Sequence, residues 1–132
     1  MLRILIADDH KIVRHGLKSI VNKQPDMVVT GEACDGQEVI DMLSKETYDL
    51  LLLDITMPRK SGFEVLKELK QSFSSLPVLI LSTHAPEQYA DKALKAGASG
   101  YLTKESAPDH LVSTIRRMFY RPIYCSQPGT VQ

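Results

Sequence analysis

Cysteine is scarce in this chain, with only Cys34 and Cys125 among 132 residues. Their spacing matches no metal-ligand motif, and both are expected to stay reduced thiols, so neither a disulfide framework nor a structural zinc organises the fold. Net charge is missing as well: 16 Lys and Arg balance 16 Asp and Glu. No surplus of basic charge argues for direct contact with nucleic acid or with a membrane surface. No apolar run approaches the ~20 residues that a membrane span needs, and no low-complexity block or solenoid period interrupts the chain. No Gly-x-Gly-x-x-Gly follows the first apolar run, where Asp8 and Asp9 stand instead. Two carboxylates there would repel a pyrophosphate, which argues against a dinucleotide or flavin site.

What remains is enough for one domain with one core: 132 residues, 43% hydrophobic and 24% charged. The opening Met1-Leu2-Arg3-Ile4-Leu5-Ile6-Ala7 is too short, and too soon followed by acids, to read as a signal peptide, so a cytoplasmic protein is expected.

The core pattern alternates two periods. Leu2 to Ala7, Met27 to Ala33, Leu50 to Leu53, Val78 to Leu81 and Tyr101 to Thr103 read as strands, and the run of four leucines reads as a strand buried on both faces. Between them lie helical stripes: Ile12, Val13, Leu17, Ile20 and Val21; Val39, Ile40, Met42 and Leu43; Phe63, Val65, Leu66 and Leu69; a helix from Pro86 toward Leu94; and Leu111, Val112, Ile115, Met118 and Phe119. Ser61 is placed to cap the third helix, and Pro86 suits the first turn of the fourth. Five strands alternating with five helices predict a three-layer α/β domain with a parallel sheet covered on both faces. Residues 1–119 form this domain in the sequence reading. Residues 120–132, which carry no apolar stripe, read as a tail or the start of a linker.

The polar exceptions cluster at strand ends. Asp8 and Asp9 follow the first strand, Asp54 the third, Ser82 the fourth and Lys104 the fifth. Parallel strands bring those ends to one edge, where open α/β sheets bind ligands. Crowded carboxylates raise one another's pKa unless a cation joins them, and a hard divalent ion such as Mg²⁺ suits an all-oxygen donor set. With that cation, Asp54 can act as a nucleophile toward a phosphoryl group, while Lys104 and the Ser82 hydroxyl cover its equatorial oxygens.

These motifs resemble the receiver domain of bacterial two-component response regulators: Asp8-Asp9, Leu51-Leu52-Leu53-Asp54-Ile55-Thr56-Met57-Pro58, Ser82-Thr83, and Gly97-Ala98-Ser99-Gly100-Tyr101-Leu102-Thr103-Lys104. The likeness spans roughly residues 2–119, and Ala7-Asp8-Asp9-His10 with Arg121-Pro122-Ile123-Tyr124-Cys125-Ser126 looks most like the NarL/FixJ-type transcription regulators. The resemblance implies a flavodoxin-like fold with strand order 2-1-3-4-5. It also implies Asp54 as phosphoacceptor, Lys104 as the phosphate-binding lysine, and Ser82 with Tyr101 as the switch pair. Mg²⁺ or Mn²⁺ would be held by Asp9, Asp54 and the Thr56 backbone carbonyl, with Asp8 acting through water. The implied partner is a sensor histidine kinase, the implied output is transcription, and a homodimer through receiver surfaces is compatible with it. DNA would be reached only through an output domain that these residues do not include. Glu105 follows Lys104 where many receivers have proline in a cis bond, and a cis bond before a non-proline residue costs about 3–4 kcal/mol.

Each signal has a plainer reading when taken singly. An Asp-Asp pair can cap a helix, Ser82-Thr83 can do the same, Lys104 can be a solvated charge, and Tyr101 a core aromatic. His10, His15, His84 and His110 show no ligand spacing and read as surface or helix-end residues, with His10 near enough to Asp9 to act on the site. Arg116 and Arg117 suit a helix C-terminus, or alternatively a dimer contact. Two other functions compete: a stand-alone receiver acting by protein contact, and a phosphohydrolase with an aspartyl-phosphate intermediate. The second lacks the acid two residues after the nucleophile, where Thr56 stands. The expectation is therefore a signalling module that turns over no external substrate.

Overall fold

The computed structural model describes residues 1–83 and 85–125, with the side chains of 86 and 120–125 left aside. Its elements run β1 (Leu2–Ala7), α1 (Lys11–Asn22), β2 (Met27–Ala33), α2 (Gly36–Lys45), β3 (Leu50–Asp54), α3 (Gly62–Ser72), β4 (Val78–Ser82), α4 (Pro86–Lys95), β5 (Gly100–Thr103) and α5 (Ala107–Cys125). The strands form one parallel sheet in the order β2-β1-β3-β4-β5. This is the expected flavodoxin-like order.

The period of two along each strand divides the core. Ile4, Ile6, Leu50, Leu52, Leu79 and Leu81 pack with α1 and α5 residues such as Leu17, Val21, Leu111 and Ile115. Leu5, Ala7, Leu51, Leu53 and Ile80 pack on the other face with Val39 and Leu43 of α2 and Val65, Leu66 and Leu69 of α3. Leu50, Leu51, Leu52 and Leu53 are all fully buried. Each such leucine stabilises the fold by about 1.5–3 kcal/mol relative to an exposed one. β3, central in the sheet and buried along its whole length, is thereby a firm support for whatever stands at its end.

Helix starts are set locally. Ser61 caps α3 as its residue type suggests, and Glu64 completes a reciprocal capping box with it. Asp35 caps α2 by accepting the Glu38 amide at 2.9 Å. Pro86 lies in the first turn of α4, whose N–H groups need no helical partner. Gly97, at φ +114°, makes the turn from α4 to β5, a conformation that an L side chain rarely adopts.

Two expectations change. α5 continues through Cys125, beyond Phe119 where the apolar stripe ends. Once its first turns are docked, extension needs no new nucleus, so the absence of a buried stripe does not stop it, although Pro122 supplies no amide donor to the added turns. Residues 126–132 of the expected tail lie outside the described residues, as does His84. Arg116 lies within α5 rather than in its last turn, and its side chain is 38% exposed. Its guanidinium donates to both Asp26 oxygens at 2.9 and 3.3 Å and to Gln24 Oε1 at 2.9 Å, fastening α5 to the turn between α1 and β2. Among the described residues no helix is long and apolar enough to cross a membrane, and no peptide bond is cis.

Candidate functional site

The C-terminal ends of the strands gather the polar exceptions. Asp54 is the last residue of β3, 2% exposed, and pairs in register with Leu81. Asp8 follows β1, 1% exposed, its amide donating to the Ala33 carbonyl at 3.0 Å. Lys104 follows β5, its amide donating to the Ser82 carbonyl at 2.8 Å, which ties β5 to β4 at this edge. Its ammonium reaches Asp8 Oδ2 at 2.8 Å and Asp54 Oδ2 at 3.3 Å. Residues separated by 96 and 50 positions thus meet because three parallel strands end together.

Asp54 Oδ1 faces the other way. The Thr56 amide donates to it at 3.2 Å, and the Thr56 hydroxyl stands at a long 3.5 Å. Ser82 ends β4, fully buried, in register with Thr103 just before the lysine. Tyr101 is half-buried on β5, opposite Ile80, and packs at the margin of the core on the α2–α3 face. Asp9 is more open, with about a third of its side chain exposed.

Electrostatics at this edge are strained. Burial pushes the Asp54 carboxyl above the usual carboxylate range, and the Asp8 charge adds to the shift, while Lys104 and the Thr56 amide oppose it. Burial pulls Lys104 down, but the Asp8 and Asp54 carboxylates outweigh it and hold the ammonium above its ordinary value. One ammonium therefore serves two buried acids. Its approach is that of an ion pair rather than a directed hydrogen bond, so the buried Asp8 Oδ2 and Asp54 Oδ2 keep lone pairs without a well-aimed donor.

The donor set fits a hard divalent cation. Asp8, Asp9 and Asp54, together with His10, each present one ligand atom within 4.8 Å of the others. Carboxylate oxygens are the ligands that Mg²⁺ selects, and an added cation would offset the burial and repulsion that raise Asp54.

Two further residues join this neighbourhood, His10, which the sequence placed beside Asp9, and Arg14, which it did not single out. His10 is more than a helix-end residue: its Nδ1 lies 3.1 Å from Asp8 Oδ1 and 3.2 Å from Asp9 Oδ1, and its amide donates to Asp8 Oδ1 at 2.8 Å. Adjacency to the acid pair was the available signal. Arg14 donates to the Asp8 carbonyl at 2.7 Å and to Glu32 at 3.1 Å, bracing the turn after β1 from α1. No spacing in the sequence pointed to that contact.

Comparison with known proteins agrees with the geometry. The chain is 38% identical over 115 residues to the uncharacterized transcriptional regulatory protein YxjL of Bacillus subtilis, covering 87% of this chain and 53% of that protein. It is 38% identical over 116 residues to the transcriptional regulatory protein DesR of the same organism, covering 88% and 57%. The chain thus spans about half the length of the curated relatives it matches. Among solved structures, a LuxR-family two-component response regulator from Aurantimonas superposes with TM-score 0.85 at 36% identity, covering 89% of this chain and 84% of that one. The non-phosphorylated receiver domain of RcsB from Escherichia coli gives TM-score 0.84 at 27% identity, covering 89% and 92%. Residues 4–116 match the family described as the response regulator receiver domain, and to that family the chain belongs.

Proposed function

We propose that residues 1–119 accept a phosphoryl group on Asp54 from the phosphohistidine of a sensor histidine kinase, and that the resulting charge switches a surface read by an output function. One observation carries this reading: a buried carboxylate at the end of the central strand, with an ammonium 3.3 Å from one oxygen and a backbone N–H 3.2 Å from the other.

In the step itself, an Asp54 oxygen forms the new O–P bond as the P–N bond to the donor imidazole breaks, and the imidazole keeps the bonding pair and takes a proton. Phosphoryl transfer needs little covalent help beyond in-line placement and charge neutralisation. Lys104 covers one phosphoryl oxygen as a point charge, the Ser82 hydroxyl donates to a second, and the Thr56 amide fixes the carboxylate's orientation. Asp9, Asp54 and the Thr56 carbonyl would hold Mg²⁺ or Mn²⁺, with Asp8 acting through water. When bound, that cation supplies charge neutralisation at the acids and at the incoming phosphoryl oxygens.

The acyl phosphate adds about −1.5 to −2 charges where a carboxylate stood. Ser82 then moves toward the new oxygens and Tyr101 fills the space it leaves, changing the surface of α4 and β5. The chain catalyses its own modification and slow hydrolysis and consumes no external metabolite. The similarity to transcriptional regulators supports transcription as the output, exercised by a DNA-binding unit outside these residues in a cytoplasmic protein, with residues 120–132 leading toward it.

The test is phosphoprotein electrophoresis after incubation with acetyl phosphate and Mg²⁺. Wild-type chain becomes labelled and Asp54→Ala does not. Labelling that persists undiminished in Asp54→Ala removes the proposal.

A further inference from the structure

The loop between β3 and α3 is fastened at its base. The Gly62 amide donates to the Ile55 carbonyl at 2.8 Å, and a Cβ on Gly62 would lie 2.6 Å from Ile55 Cα and 2.8 Å from the Asp54 carbonyl, so only glycine permits this closure. Residues 56–61 therefore form a short closed arm that begins at Thr56, the donor to Asp54. The base does not reach the arm's tip, where Lys60 pairs with Glu68 of α3.

The tip is held from another element. Arg59 sits in the left-handed region at φ 66°, where non-glycine residues are uncommon. From that conformation its guanidinium donates twice to Asp35 Oδ2, through Nε at 3.1 Å and through a terminal nitrogen at 2.5 Å. Asp35 is only 5% exposed and caps α2 through the Glu38 amide. The backbone is pressed home beside it: a Cβ on Gly36 would stand 2.3 Å from Lys60 Cβ and 2.5 Å from the Lys60 carbonyl oxygen. The N-terminus of α2 and the arm's tip are thus in direct contact. Glycine would take this φ without strain, whereas arginine adds a side chain that spans to α2. Unusual backbone maintained by the surrounding structure concentrates where placement matters to function.

We propose that the Asp35–Arg59 pair is a strap that positions the arm carrying Thr56 against Asp54, making Arg59 a positioning residue for phosphoryl acceptance. This rests on the phosphoacceptor reading above. Arg59 touches neither the carboxylate nor a phosphoryl group. It acts by setting where the Thr56 amide stands before the reaction, so its loss lowers the maximal rate and leaves binding of the small phosphodonor alone.

Acetyl phosphate labelling with saturating Mg²⁺ tests this on Arg59→Gly, Asp35→Asn and Arg59→Lys. Arg59→Gly suits the backbone and deletes the strap. Asp35→Asn keeps a good helix cap and deletes the charge. Both are expected to label roughly tenfold more slowly at saturating acetyl phosphate, the size seen for residues that orient a site from behind. The half-saturating concentration stays at the wild-type value, the thermal midpoint holds in Arg59→Gly and falls only slightly in Asp35→Asn, and Arg59→Lys recovers part of the rate. A wild-type rate in Arg59→Gly or Asp35→Asn overturns the strap, as does a loss that follows falling thermal midpoints across the three variants. Failure of the wild-type chain to label at all is a different result: it removes the phosphoacceptor reading itself, and the strap's role with it.

Discussion

Asp35 and Asp54 are both buried carboxylates, 5% and 2% exposed, and they titrate in opposite directions. The Glu38 amide, followed by the Arg59 guanidinium, holds Asp35 below the ordinary carboxylate range. Burial, followed by the Asp8 charge, drives Asp54 above it despite Lys104 nearby. Burial alone therefore does not decide whether an acid is comfortable; the number and aim of its donors do. Asp35 has two kinds of donor and one job, which is to hold structure. Asp54 shares one cation with Asp8, and its discomfort is what an added divalent ion would relieve.

The largest expected effect comes from removing that shared cation. Lys104→Ala leaves two buried acids facing each other, and urea unfolding at neutral pH is expected to find the chain about 3 kcal/mol less stable, the lower end for broken buried pairs. Adding Asp54→Asn to it should restore most of the loss, since one repelling charge is then gone. A neutral Lys104→Ala would break the contrast between the two acids.

The next effect has the opposite sign. A ligand that binds only the folded chain stabilises it by about 2.7 kcal/mol when present at a hundredfold excess over its dissociation constant. Mg²⁺ is accordingly expected to raise the thermal midpoint of the wild-type chain and to lose most of that effect in Asp9→Asn or Asp54→Asn. An equal rise in all three would place the cation elsewhere.

Asp35 predicts a smaller change. Asp35→Ala deletes the α2 cap together with the partner of Arg59, and caps are worth about 0.5–2 kcal/mol. Asp35→Asn keeps an acceptor for the Glu38 amide and should recover more than half of the stability in the same urea titration.

Much of this contrast was legible before any coordinates. The apolar runs marked the strands almost to the residue, because Leu50 to Leu53 or Val78 to Leu81 can only be buried on both faces of a covered sheet. The edge cluster was legible for a related reason: parallel topology converts "polar residue just past a strand" into "polar residues together" without any need for contact information. The strap was not legible. Asp35 and Arg59 are separated by 24 positions and lie on two loops whose approach depends on Gly36 and Gly62 admitting backbone at close range. Arg14 was hidden by a similar cause, since periodicity describes which face a helix buries and says nothing about where a side chain at its first turn reaches, whereas His10 could be placed near the acids by adjacency alone. The end of α5 was misjudged because a missing stripe was read as a missing helix.

The smallest expected effect is the most discriminating, because pH acts on the two acids with opposite sign. Asp35 has a lowered folded pKa, so its contribution is present above the unfolded value near 3.8 and is lost as pH falls through the lower folded value. Asp54 has a raised folded pKa, so its ionisation weakens the fold as pH rises above that value, and the penalty is absent below about 3.8. In the wild-type chain the two act in adjoining windows: the Asp54 gain builds as pH falls toward 3.8, and the Asp35 loss follows below it. Asp54→Asn removes the gain that protonation brings, so stability measured by urea unfolding should fall more steeply with acid than in the wild type. Asp35→Asn removes the loss, so its profile should be flatter below pH 4. The differences are expected to be smaller than the effects above and are read from the slopes of the profiles. Parallel acid profiles for the two variants would mean that both acids are governed by burial alone, and the distinction drawn between them would fail.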